Sequence, residues 1–309
     1  MPCPPPLRIA GAAIAVVEGF PKRADVPYPI GMTVAGSQPH LSRLPCGALR
    51  PFVALLWASD GEVSDTAGAA RELVLPTGAL HLVLRLEDQP LRVFRDPEDL
   101  QGACLGTAIV GGARAAPYVK DVPRPVASVG ALLRPGAAGL LLGAPAGEFT
   151  GAHWALEDVW GQVAVDRLRS RVAEKATAAD RLALFERALA ARLPAVRGLD
   201  PRIARALAGL RHGMPVAATA AACELSHRHF TQRFREAVGL APKAWCRVQR
   251  FGRALDRLAA EPTIAWAELA AAEGYADQAH FSREFHELAG LSPGDYRRRA
   301  PRQPRHVTL

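Results

Sequence analysis

Arg228, Thr231, Gln232 and Arg235 fall at i, i+3, i+4 and i+7 of the stretch HRHFTQRFREAV. At about 100° per residue they share one side of a helix, opposite Phe230, Phe234 and Ala237. Their side is a row of guanidinium, hydroxyl and carboxamide groups. Such groups match the donor and acceptor edges of bases, and the charges match phosphates. Further along, Gln278, Ala279, Ser282, Arg283 and His286 stand opposite Phe281, Phe285 and Leu288. A single Arg-rich side is usually no more than a solvated helix surface. Two in one frame call for a common cause.

The common frame is a repeat. HFTQRFREAVGLAP at 229–242 returns as HFSREFHELAGLSP at 280–293, 51 positions on, with seven of fourteen pairs identical. Beyond it, Trp245 pairs with Tyr296 and Arg247 with Arg298. Similarity at a fixed spacing marks one supersecondary unit used twice. Ser226 is placed to cap a helix over 227–238, Leu225 and Phe230 to staple it, and Gly239 to end it. The Ala-rich VAATAAACE upstream reads as a short first helix. In the second copy, IAWAELAAAEGY supplies the first helix, Gly274 the turn and Asp277 the cap. Val248, Phe251, Leu255 and Leu258 keep helical spacing between the copies and predict a linker helix for both to pack on. Helix, tight turn and a second helix with an apolar inner and polar outer side is the helix-turn-helix design. Two such helices on one linker would enter successive major grooves roughly 34 Å apart.

This arrangement resembles the AraC-type family of bacterial transcription regulators. The residues that carry the resemblance are LSHRHFTQRFREAVGLAPKAW, RALDRLAAEPTIAWAELAAAEGY and GYADQAHFSREFHELAGLSPGDYRR, within residues 205–300. The resemblance implies base contacts from the outer sides of both second helices: Arg228, Thr231 and Gln232 in one, Gln278, Ser282 and Arg283 in the other. Arg235, near the end of its helix, is suited to a phosphate. Ala279 departs from the polar residue often found at its place, so the second head should read fewer bases.

The elements that must carry this module differ in kind. Residues 1–30 are Pro-rich and stay unassigned. From 31 to 135 the chain reads as strands, with PFVALLWAS (51–59), LHLVLRL (80–86), LRVFRD (91–96) and TAIVGG (107–112) bounded by Gly, Pro and Asp. After Pro145 the spacing becomes helical and predicts helices over 153–174 and 178–193. LPAVRGLDP (193–201) reads as the linker. The expected fold is α+β: a β-rich sensor domain at 31–150, a helical dimerisation or linker segment at 151–200, and an all-α double helix-turn-helix domain at 201–309. LPTGALHLVLRL, IVGG, GALLRPGAAGLLLGAPAGEF and the following helices resemble the β-rich domain joined to this module in some actinobacterial regulators. That resemblance implies a cupin-like fold that binds a small-molecule effector or mediates dimerisation.

Charge agrees with this division. Of a net charge of +8, +7 lies in residues 201–309, which suits a polyanionic partner. The five cysteines are odd in number and form no CxxC pair, as expected in a reducing, cytoplasmic setting. The first residues lack a basic stretch before their apolar run, and ASVGALLRPGAAGLLLGAPAG is too broken to span a membrane. Cys46 and Cys104 would sense oxidants only if the fold brought them together; buried isolated thiols are commoner. His81, alone on an apolar strand, and His229 and His280, at equivalent helix starts, lack zinc-ligand spacing. Trp57, Trp154 and Trp160 line either an effector pocket or the core. No GxSxG, P-loop or dinucleotide-binding pattern occurs, and IVGGARAAP reads as a turn between strands. The expected protein is therefore no enzyme and needs no cofactor or metal. Its expected partners are double-stranded DNA, a small-molecule effector, a second copy of itself and RNA polymerase. The main alternative is a DNA-repair enzyme with the same module appended, but Cys46 stands in Pro-Cys-Gly, not in a reactive Pro-Cys-His setting. A nonspecific architectural DNA binder would not need two different polar outer sides.

Overall fold

The computed structural model describes residues 40–60, 70–122, 126–195, 198–301 and 303–309. Residues 1–39, which include the unassigned N-terminal segment, lie outside the described residues. Among those described, the strands form two antiparallel sheets. The first runs β1 (His40–Arg43), β2 (Val53–Ser59), β9 (Ser128–Leu133), β4 (His81–Arg85), β7 (Ala108–Gly111) and β10 (His153–Ala155) in spatial order. The second runs β11 (His306–Thr308), β3 (Ala70–Val74), β8 (Tyr118–Val122), β5 (Arg92–Phe94) and β6 (Ala103–Cys104).

Alternation sorts the first sheet's residues. Leu56, Ala58, Leu82, Leu84, Ala108, Val110, Val129 and Ala131 are buried on one face. They share a core with Val165, Val172, Leu182, Phe185 and Leu189 of α3 (Gln162–Ala173) and α4 (Ala178–Ala190). Of the two helices, α4 packs on β1, β2 and β9 and α3 packs on α4, so the apolar side of α4 covers the chain's own sheet. The opposite face carries Trp57, His81, Val83 and Arg85 and looks toward the second sheet, where Tyr118 meets His153.

The helix expected over 153–174 is three elements. His153–Ala155 pairs with β7, α2 (Leu156–Trp160) follows, and Gly161 at φ 82° separates α2 from α3. The Leu-rich stretch after β9 forms α1 (Ala138–Leu142), then a 3₁₀ turn (Ala146–Phe149). No helix among the described residues is long and apolar enough to cross a membrane.

From residue 201 the chain is helical: α5 (Pro201–Arg211), α6 (Val216–Ala222), α7 (His227–Val238), α8 (Pro242–Ala260), α9 (Trp266–Ala272), α10 (Gln278–Ala289) and α11 (Pro293–Arg299). The last residues depart from that pattern, so residues 201–309 are not all-α. β11 adds to the edge of the second sheet, with Val307 fully buried opposite Leu73. Arg305 just before it is buried and ion-paired to Asp256 of α8 at 2.9 Å, and its carbonyl accepts from Leu75 N. The chain's end therefore ties the helical part back to the sheets.

Candidate nucleic-acid interface

Each copy of the repeat builds its helix by the same local devices. Ser226 Oγ accepts from His229 N at 3.4 Å, and Asp277 Oδ1 from His280 N at 2.6 Å, each answering one orphan donor of the first turn. α7 and α10 end at Gly239 and Gly290, in left-handed conformation at φ 91° and 67°. Phe230 and Phe234 are buried, with Trp245 of α8 at 5.9 Å from Phe234. Phe281 and Phe285 are buried likewise, with Tyr296 at 5.5 Å from Phe285. The Trp245/Tyr296 pairing is thus the third aromatic of each unit. Val248, Phe251, Leu255 and Leu258 are buried along α8, and Phe251 meets Phe285 at 5.2 Å.

A polar clamp on α8, unread from the sequence, holds the second unit. Glu284 of α10 is buried, and its carboxylate accepts from Arg247 Nε at 2.8 Å and Arg250 Nη2 at 2.8 Å. Glu273, buried at the end of α9, accepts from Arg253 Nε and Arg257 Nε, both at 3.0 Å. Four arginines at three- and four-residue spacing on one helix therefore fix α9, the turn and α10. The signal was present: Glu284 stands three residues after Phe281, on the edge of the apolar side, where a carboxylate must find partners.

Gln278 and Arg283 are exposed and Ser282 is half-buried, so the second outer side is open. The first differs. Arg228, Gln232 and Arg235 are exposed and Thr231 is half-buried, yet all four line an open crevice of about 730 Å³ whose other wall is Pro145, Gly147 and Glu148. The 3₁₀ turn lies against the C-terminal half of α7. A Cβ placed on Gly147 would meet the Arg235 carbonyl oxygen at 3.2 Å and Glu236 Cα at 3.5 Å. Thr150 Oγ1 donates to the Gly239 carbonyl at 2.5 Å. Gln232 Nε2 is engaged with Glu236 Oε1 at 3.0 Å.

The other singled-out residues fall as follows. His229 is exposed, and His280 packs its ring 5.5 Å from Tyr275. Cys46 and Cys104 are free and exposed, not buried, the one beside α4 and the other on an edge strand. Trp160 is buried in the core, while Trp57 and Trp154 are half-buried.

Comparison with known proteins agrees with the two kinds of unit. A family described as a helix-turn-helix domain matches residues 219–299. A family described as a domain of unknown function, DUF6597, matches residues 42–155. No curated protein matches the chain by sequence. Among solved structures, the C-terminal domain of AraT, a response regulator from Geobacillus stearothermophilus, is 22% identical, with 32% of this chain and 85% of that one covered, at a TM-score of 0.30. The DNA-binding domain of AdpA, a global transcriptional factor solved with a target DNA, is 30% identical, with 32% and 92% covered, at 0.29. ToxT from Vibrio cholerae is 8% identical, with 74% and 96% covered, at 0.40.

Proposed function

We propose that this chain, which belongs to the AraC-type family of DNA-binding transcription regulators through its C-terminal domain, reads a specific two-box DNA site and is held in check by its own β-rich unit. One observation carries the reading. Two helices built on the same caps, glycines and aromatic triplets present different polar outer sides. Gln232 suits adenine and Arg283 guanine in the major groove, with Arg228, Thr231, Gln278 and Ser282 beside them and Arg235 on a phosphate.

On this reading residues 31–150 are a cupin-like sensor, 151–200 its helical extension and 201–309 the DNA reader. The first head becomes available when the turn at 145–150 leaves α7; the second needs no such step. A small-molecule effector of the β-rich unit would act by changing how often the two part. If the chain also pairs with a second copy or with RNA polymerase, surfaces other than the covered sides of α3 and α4 must serve. Chemical footprinting of the full chain on a selected duplex tests the reading. Two protected boxes about one turn apart, the first weaker than the second, are expected. One box of uniform protection, or none, contradicts it.

A further inference from the structure

In both copies of the repeat a glutamate stands four residues after a side chain assigned to a base: Glu236 after Gln232, and Glu287 after Arg283. At that spacing two side chains lie one turn apart on the same helix and can touch. The two glutamates are used differently. In the second unit Arg247 of α8 reaches across. Its Nη2 donates to Glu287 Oε2 and its Nε to Glu284 Oε2 at 2.8 Å. Glu287 is thus engaged by the linker helix, and Arg283 is exposed with no ion-pair partner among the described residues. In the first unit Arg233 stands in the place of Glu284, so the acid that anchors the arginines of α8 is missing. Glu236 forms no ion pair among the described residues. It takes Gln232 instead, whose Nε2 donates to Glu236 Oε1 at 3.0 Å.

This contact changes what Gln232 can offer. A free carboxamide has two hydrogens to give and one oxygen that accepts. A carboxylate only accepts, so Glu236 takes one of the hydrogens and fixes which end of the carboxamide faces it. One donor and one acceptor remain. In the major groove adenine presents an N6 donor beside the N7 acceptor, whereas guanine presents two acceptors, N7 and O6. The held carboxamide matches adenine and has no second hydrogen for guanine. Arg283 is not held and keeps its full fork of N–H donors, which suits guanine. The hydrogen bond exists in the free protein, so Gln232 meets its base with the carboxamide already oriented.

We propose that Glu236 is a specificity-determining residue of the first recognition helix. It is a positioning residue: it touches no base, and restricts Gln232 to adenine by holding one of its amide hydrogens. This inference rests on the reading of the chain as a two-box DNA reader.

Selection of bound duplexes from a random pool, with the full chain and its variants at fixed salt, reads the adenine-to-guanine ratio at the position that Gln232→Ala relaxes. Both glutamates are exposed, so replacing them opens no core. Glu236→Ala should lower the ratio about fivefold, the lower end of what a bidentate contact discriminates, and leave the second box unchanged. Glu236→Gln removes the same charge but keeps an acceptor, so its ratio should fall between those of Glu236→Ala and the parent. Glu287→Ala is the control. Its glutamate holds Arg247 and not Arg283, so the guanine preference of the second box should persist. A change in overall affinity with an unchanged ratio in Glu236→Ala means that only charge or docking was altered, and overturns the proposal. So does a Glu236→Gln ratio as low as that of Glu236→Ala, or an equal loss of preference in the second box of Glu287→Ala. If Gln232→Ala relaxes one position and Glu236→Ala does not, this inference alone falls. If Gln232→Ala relaxes no position, the two-box reading falls and takes the inference with it.

Discussion

Opening the contact between the 3₁₀ turn and α7 should tighten DNA binding, although neither altered residue touches DNA. Gly147→Leu puts a side chain where a Cβ would already stand 3.2 Å from the Arg235 carbonyl oxygen and 3.5 Å from Glu236 Cα. Both neighbours are backbone, so they cannot swing aside. Overpacking of this kind costs about 1–3 kcal/mol, and only in the docked state. Thr150→Val removes the hydroxyl that donates to the Gly239 carbonyl, worth about 1 kcal/mol of docking. If the docked form dominates, each cost appears as a gain in apparent affinity, because the competent fraction rises by the same factor. Fluorescence anisotropy with a two-box duplex at fixed salt should show about a fivefold lower Kd for Thr150→Val. For Gly147→Leu the drop should be roughly five- to a hundredfold. An unchanged or weakened Kd in folded Gly147→Leu would refute masking of the first head.

Three further outcomes follow from the same structure. His81 and His153 are held neutral with pKa values near 3 and 2, below an unfolded value of about 6.5. The unfolded chain therefore binds more protons below pH 6.5, and stability should fall by about 1 kcal/mol per pH unit for each histidine on acidification from pH 6.5 toward 4, read by urea unfolding. A flat profile in that window contradicts the buried neutral state, and His153→Phe should reduce the slope. Glu224 occupies the left-handed region at φ 57°, at the turn position that Gly274 fills in the second copy at φ 75°; Glu224→Gly should stabilise by about 0.5–1 kcal/mol in denaturant unfolding. Arg305→Ala strands Asp256 and loosens the strand after it, whose Val307 is buried; it should cost about 3 kcal/mol, and a loss below 1 kcal/mol would mean the chain's end is not a structural tie.

The two helix-turn-helix units were legible because every signal in them is local. Ser226 and Asp277 lie within four residues of the groups they cap, and Gly239 and Gly290 end the helices they follow. The burial of Phe230, Phe234, Phe281 and Phe285 follows from helical spacing alone. The strands at 53–59, 81–85, 92–94 and 108–111 were legible from short apolar runs between turn residues. Ser128–Leu133 was hidden because it is apolar after its first residue, and a central strand buried on both faces shows no alternation. His153–Ala155 carries no strand signature of its own; pairing with β7, over 40 residues earlier in the chain, decides its state. β11 is three residues long, and its existence depends on β3 some 230 positions away. The contact on α7 is likewise long-range: nothing near Gly147 and Thr150 in sequence shows that they meet Arg235 and Gly239. Arg114 reads as part of a turn, since nothing near it in sequence shows that its neighbours in space are His153 and Tyr118.

Selection of bound sites from a random duplex pool, run on the full chain and on Gln232→Ala and Arg283→Ala at one salt concentration, tests the two-reader account most directly. The parent should enrich two unlike boxes about one helical turn apart. Gln232→Ala should relax preference in one box and Arg283→Ala in the other, each at about 1–3 kcal/mol for its own base pair. Arg235→Ala, carried alongside, should weaken all sequences alike and lower the salt slope by about one. If Gln232→Ala and Arg283→Ala both lower affinity uniformly and leave the enriched sequences unchanged, the two outer sides do not read bases, and the account of the repeat is wrong.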